Sequence, residues 1–385
     1  MKKRSGLYLV LGISLLIGPT SIVHAVTPVE IVNKYKTAVQ EPENKVKVLI
    51  VPGHDDEYWG TQYGNIRESD VVVAIGQYLY DRLKHDPRIE VEITRTQMGY
   101  TDTFKNYFAN NRQAIQDFIT QSRSMFRAQV SSGAIVSTSS VPHNAANAEV
   151  AIRLYGINKW ANENDIDIVL HLHVNDEGGR YWGGPGQYTG ISVYIPEKQF
   201  DHAPASAVVG EAIFNELLLK NQKSTYPAEA LGLLEDQDLI AIGASNTVTK
   251  AATVLVEYGY IYEPQFRNLN IQETVTKDLA YQTFLGLHRF FGDRQLYGRT
   301  VTSIAARKYL PHTWKIDLEK QMQSTDVSAL QEALTTTGVY NCGVVGLYGP
   351  CTERGVKAFQ KKYGISQTGV VGPLTRAKLN LLFGS

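Results

Sequence analysis

Cysteine is nearly absent from this 385-residue chain, which has only Cys342 and Cys351. Two cysteines close together suit a disulfide in an exported protein better than a zinc site, which needs further ligands nearby. Such a bridge would staple a region too small to bury much apolar surface alone. A basic excess is also lacking. The 38 Lys and Arg balance the 38 Asp and Glu, so nothing in the charge points to a nucleic-acid partner. No Gly-x-Ser-x-Gly elbow occurs, so a nucleophilic serine of that kind is not offered. The apolar run at residues 7–17 is too short to span a bilayer comfortably.

What is present starts with that run. Lys2, Lys3 and Arg4 precede it, Gly18 and Pro19 break it, and Val23-His24-Ala25 supplies small residues before a cut. This is the pattern of a secretory signal peptide over residues 1–25. The expected location is outside the cytoplasm, in the periplasm, the cell wall or the medium, without stable membrane insertion once the signal is removed. Loss of three basic residues from a balanced chain leaves a formal charge of −3. The 22 tyrosines outnumber the 12 phenylalanines, which suits a polar or carbohydrate-facing surface.

The length is large for one domain. Residues 26–44 read as an N-terminal linker, 45–293 as a catalytic domain and 294–323, with Pro311, as a second linker. Residues 324–385 read as a small C-terminal domain. Residues 45–52 alternate and then turn wholly apolar, as a strand entering a core does. Gly53 and His54 follow at its carboxyl end, where sites collect in open α/β sheets. Glu68 opens a helical stripe carrying Val71, Val72, Ile75, Leu79 and Leu83. In a first turn it could simply complement the helix dipole. Residues 89–94 alternate strictly. Residues 101–147 are rich in Ser, Asn and Gln and read as an insertion beside the site, of the kind that forms lids or binding loops.

Residues 148–164 read as a helix and 166–172 as a buried strand ending in His171-Leu172-His173-Val174-Asn175. Alternation puts His171, His173 and Asn175 on one face. Either histidine could reach a metal, with the other supporting it. Residues 253–256 form a β-branched strand that delivers Glu257, a costly residue there unless it is paired or working. Strands alternating with helices give an α/β class. Two imidazoles and a carboxylate can hold zinc with one position left for water, and a further carboxylate can take that water's proton.

These motifs resemble those of the zinc-dependent N-acetylmuramoyl-L-alanine amidases. Val51-Pro52-Gly53-His54 is similar to the family's Asp-Pro-Gly-His, with valine in place of aspartate and Asp55-Asp56 in place of Gly-Gly. His171-Leu172-His173-Val174-Asn175 is similar to Ser-x-His-x-Asn, and residues 254–260 to Val-Leu-Val-Glu-x-Gly-Phe. The resemblance implies a three-layer sheet flanked by helices, one Zn2+ held by His54, Glu68 and His173, and catalysis by Glu257. His171 and Asn175 become supporting residues or alternative ligands. Residues 324–385 resemble a three-helix peptidoglycan-binding domain through Leu330-Gln331, Leu334, Gly338, Tyr340, Gly346, Thr352, Phe359-Gln360, Gly364 and Leu379. Thr352 reads as an N-cap for a helix running to Lys362.

The expected function is cleavage of the amide between N-acetylmuramic acid and L-alanine of the stem peptide, with peptidoglycan as partner. The alternatives are a zinc peptidase acting on wall peptides and a wall-binding protein whose catalytic domain has decayed.

Overall fold

The computed structural model describes residues 25–137, 146–180, 184–243, 249–293, 309–337, 339–340 and 342–384. The expected signal segment up to residue 24, the tip of the insertion at 138–145 and the first half of the second linker at 294–308 lie outside them.

The first helix, α1 (Pro28–Thr37), is capped by Thr27, whose hydroxyl accepts from Glu30 N while Glu30 accepts from Thr27 N. Such a reciprocal cap satisfies two donors at a helix start. Ile31 and Tyr35 bury one side of α1 in the main core. Residues 26–44 are therefore not the plain linker expected above. Burial of two large side chains, at roughly 1.5–3 kcal/mol each, is enough to fix so short a helix.

Strand β1 (Val46–Pro52) is followed by two short strands, β2 (Gln62–Tyr63) and β3 (Ile66–Arg67), and then by α2 (Glu68–Leu83). Next come β4 (Ile89–Ile93), the hairpin β5 (Arg95–Thr96) and β6 (Gly99–Tyr100), α3 (Asp102–Asn110), α4 (Arg112–Ser131) and α5 (Ala148–Glu163). The chain continues through β7 (Ile168–Asn175), β8 (Ser192–Pro196), α6 (Ala203–Leu217), a 3-10 turn at Pro227–Glu229 and β9 (Leu233–Asp236). β10 (Ala252–Tyr260), α7 (Pro264–Arg267) and α8 (Leu269–Phe291) complete the first region.

Six strands form one mixed sheet in the order β4-β1-β7-β10-β8-β9, with only the β10–β8 pair antiparallel. Val48, Ile50, Leu170, Leu172, Val254 and Val256 face α2, α6 and α8. Leu49, Val51 and Val169 face Phe104 of α3 and Ile157 and Trp160 of α5. Helices on both sides make three layers. Strands so covered are apolar throughout rather than alternating. The described part of the insertion is helical, and its Ile115 packs with Ile152 and Tyr155 of α5 as part of the outer layer.

The C-terminal region contains α9 (Thr325–Thr336), α10 (Pro350–Lys362) and α11 (Pro373–Phe383). Leu330, Leu334, Val356, Phe359 and Leu379 form its core, joined by Leu310, Trp314 and Leu318. Leu318 also bridges Val371. The described residues from 309 onward thus belong to this unit and not to a linker. Gly349, not Thr352, caps α10. Proline suits the first helical position and moves the start back. The Thr352 hydroxyl instead accepts from Gln331 Nε2 at 3.0 Å. Gln331 and Gln360 are both buried and serve neighbouring loop backbone with both ends of their amides.

The two regions touch. Val345 and Leu347 pack against the first core, and Cys342 is joined to Cys351 beside the contact. Glu211 of α6 accepts from Cys351 N at the start of α10. Burial pushes the Glu211 carboxyl up to about 7, against the opposing pull of Arg354 and the α10 N–H groups. A raised carboxyl favours the docked state while it is protonated. Its contribution is full below about 4.5 and is lost as pH rises through about 7. The ceiling is about 3 kcal/mol. Small-angle scattering should show a larger radius of gyration at pH 8.5 than at pH 5, and Glu211→Gln should flatten that difference.

Candidate active site

Register brings the motifs together. Pro52 pairs with Leu172, and Glu257 pairs with His173. The carboxyl ends of β1, β7 and β10 therefore open on one edge of the sheet. His54 leaves β1 with φ 61°, a conformation that few side-chain-bearing residues adopt. The turn is held by Asp55, which accepts from Glu57 N and Tyr58 N at 2.9 Å. Arg95 is 2 % exposed and reaches back from β5. It donates to Gly53 O and Ser69 O at 2.8 Å and to Pro52 O at 3.2 Å. One guanidinium thus ties the end of β1 to the start of α2.

Glu68, the first residue of α2, is 4 % exposed. Oε2 lies 3.2 Å from His54 Nε2 and accepts from Thr61 N at 3.0 Å. Oε1 lies 3.0 Å from His173 Nδ1 and accepts from Val174 N at 3.1 Å. The dipole role alone does not account for this carboxylate, which joins the two imidazoles. Burial would push it up, but His54 and His173 outweigh that and hold it below the usual carboxyl range. Burial pulls the His173 imidazole down despite Glu68. At His54 burial also pulls down, and Glu68 wins.

One donor atom each from His54, Glu68 and His173 fall within 4.8 Å of one another. The contacts of 3.2 and 3.0 Å end on different oxygens of Glu68, so its carboxylate lies between the two imidazoles. The set is neutral or anionic, mixed nitrogen and oxygen, and half open to solvent at His54. It fits a divalent cation.

Two other clusters of ligand-type side chains among the described residues do not fit one. Asp86, His288 and Asp293 already share Arg88 and the Tyr35 hydroxyl. The group of Glu211, Cys342 and Cys351 has its sulfurs joined to each other.

Glu257 lies beside His173 with its Oε2 buried and without a hydrogen-bond partner. Burial, then the charges of Glu68 and Glu229, push its carboxyl well above the usual range. An orphaned buried oxygen is rare and points to work. His171 shares the strand face but is 1 % exposed and stands outside the donor cluster. Burial lowers it to about 3. Asn175 turns away from the donors, giving Nδ2 to Glu229 Oε1 at 2.7 Å. Sequence reasoning gave Arg95 and Glu229 no role. Both act on partners distant in sequence, so no local motif marks them.

Two glycines make room. A methyl group at Gly53 would overlap the His173 ring, and one at Gly60 would overlap Glu68 and His54. Gly60 also has φ 75°.

A mixed sheet covered by helices on both faces, with His54, Glu68 and His173 gathered at one edge, makes this an α/β protein with a candidate metal site. Residues 48–289 match the family described as N-acetylmuramoyl-L-alanine amidase, and the chain belongs to that family. Residues 323–379 match the peptidoglycan binding domain family. A 67-residue stretch is 42% identical to "N-acetylmuramoyl-L-alanine amidase CwlL" of Bacillus licheniformis, covering 16% of this chain and 19% of that protein. A 64-residue stretch is 39% identical to a probable N-acetylmuramoyl-L-alanine amidase of the same organism, covering 15% and 18%. The chain thus spans about a fifth of the length of the curated relatives it matches. The N-acetylmuramoyl-L-alanine amidase structure from Clostridium difficile 630 is 18% identical, covering 65% of this chain and 99% of that one, with a TM-score of 0.42.

Proposed function

We propose that the chain hydrolyses the amide joining the lactyl group of N-acetylmuramic acid to L-alanine of the stem peptide. The observation that carries this reading is the convergence of His54, Glu68 and His173 beside the unpartnered carboxyl of Glu257. His54, Glu68 and His173 would hold one zinc ion, which supplies a Lewis acid for the amide carbonyl and acidifies water from about 15.7 toward about 7. Glu257 takes a proton from the attacking water as the new C–O bond forms. It then returns that proton to the amide nitrogen as the C–N bond breaks, and L-alanine leaves as an amine. The raised pKa of Glu257 suits a group that must carry a proton between these steps. Arg95 keeps the His54 turn and the Glu68 helix start in fixed relation.

With such a substrate the protein would act outside the cytoplasm. No helix among the described residues is long and apolar enough to cross a membrane. The C-terminal region would hold the protein on peptidoglycan, raising local substrate concentration by tethering.

Mass spectrometry of purified wall digested with the protein tests the reading. Free lactyl groups together with new L-alanine amino termini are expected. Cleavage only between amino acids would replace the amidase by a wall peptidase, and no cleavage would leave a binding protein. A chain ending at residue 293 is expected to keep hydrolysis of a soluble muramyl peptide and to lose most cosedimentation with sacculi. Gly53→Ala, by crowding the His173 ring, is expected to weaken zinc binding by about 10–100-fold in a chelator competition.

A further inference from the structure

Glu229 ends the short 3-10 turn between α6 and β9 and is 3% exposed. Burying a carboxylate is costly unless hydrogen bonds satisfy it. Here three do. Asn175 Nδ2 and the Tyr194 hydroxyl each donate to Oε1 at 2.7 Å, and the Tyr260 hydroxyl donates to Oε2 at 2.9 Å. The donors come from β7, β8 and β10, so one carboxylate spans three neighbouring strands of the sheet.

Two of those donors stand just past the site residues. Asn175 follows His173 by one alternation of β7. Tyr260 follows Glu257 on β10 across an irregularity: Glu257 pairs with His173, but Tyr260 pairs with Asn175, and Gly259 between them has φ 134°. Three residues of β10 are thus set against two of β7. A bulge of this kind bends its strand and re-aims the side chains beside it, and it needs fixing from outside the ladder. Ser224 Oγ, 2.9 Å from the Tyr260 hydroxyl, adds a second tie from the same loop.

We propose that Glu229 is a positioning residue for the hydrolysis: by gripping Asn175 and Tyr260 on the far side of the β10 bulge, it sets the direction in which the Glu257 carboxylate points relative to His54, Glu68 and His173. This rests on the amidase reading only for its kinetic consequence. The structural consequence stands apart from it.

The test uses the full chain. Glu229→Ala is expected to lower kcat on a soluble muramyl peptide by about 10–100-fold, with KM within about twofold and zinc content unchanged. Glu229→Gln keeps an oxygen acceptor and is expected to recover at least tenfold of that loss. A kcat for Glu229→Ala equal to that of the parent overturns the proposal, as does a loss that Glu229→Gln fails to relieve. Should Glu229→Ala not fold, Tyr260→Phe removes one grip alone, and an unchanged kcat there also overturns it. The readout free of activity is a crystal structure of Glu229→Gln or Tyr260→Phe. Glu257 displaced with His54, Glu68 and His173 in place supports the proposal, and an unmoved Glu257 in both sinks it. A parent protein inactive on the muramyl peptide would remove the amidase reading while leaving that comparison to decide the positioning role.

Discussion

Glu257→Gln is expected to retain zinc at the parental level and to lose hydrolysis by about 10²–10⁴-fold, the range spanned by general acid–base catalysis. The substitution keeps the shape of the side chain and removes only its ability to exchange a proton. Burial and the neighbouring carboxylates Glu68 and Glu229 disfavour a further negative charge at this spot. Glutamine, being neutral, should therefore not destabilise the fold, and the melting temperature should stay level or rise. Elemental analysis separates metal content from turnover. A Gln variant that still cleaves at the parental rate would remove Glu257 from the mechanism. A variant that loses both zinc and turnover would make Glu257 part of the metal site instead.

His173→Ala is expected to abolish stoichiometric zinc and with it all measurable turnover. Of the donor residues, His173 touches Glu68 from β7, whereas His54 touches the other oxygen of the same carboxylate from the β1 turn. Removing His173 leaves Oε1 of Glu68 with only Val174 N. The neighbouring His171→Ala provides the contrast. That residue is buried away from the donors, so its loss should lower stability by about 2–5 kcal/mol, as for other large-to-small core changes, while folded molecules keep their zinc. Zinc retained by His173→Ala but lost from His171→Ala would exchange the two assignments.

The strands that deliver the site are legible in the sequence because parallel strands covered on both faces become continuous apolar runs. Residues 48–52 and 254–256 are wholly apolar and 168–170 likewise; Gly53-His54, Glu257 and the His171–His173 segment follow them. His54, His173 and Glu257 stand out for that reason, and Glu68 by opening an apolar helical stripe. Helix α1 does not, since Ile31 and Tyr35 are its only buried side chains and the helix is only ten residues long. Residues 309–323 read as a linker because Leu310, Trp314 and Leu318 enter the C-terminal core from irregular backbone, which has no period to detect. Thr352 looked like a cap by residue type, but Pro350 sets the helix start and Gln331 takes the hydroxyl. Arg95 and Glu229 are hidden for a different reason. Arg95 works through backbone carbonyls and Glu229 through donors on three strands, so their partners leave no mark in the neighbouring sequence.

Leu347 sits in the core of the first region with Val345 packed against it, while the C-terminal unit keeps a core of its own. If the C-terminal unit anchors the protein on peptidoglycan as proposed, it would not be a weight swinging on a string while the contact is closed. Once it lands on a glycan cable, the cutting edge would sit at one set reach from the landing point, like a saw on a fixed jig. Digestion of ordered wall fibres would then leave nicks at a regular offset rather than a diffuse halo around each attachment.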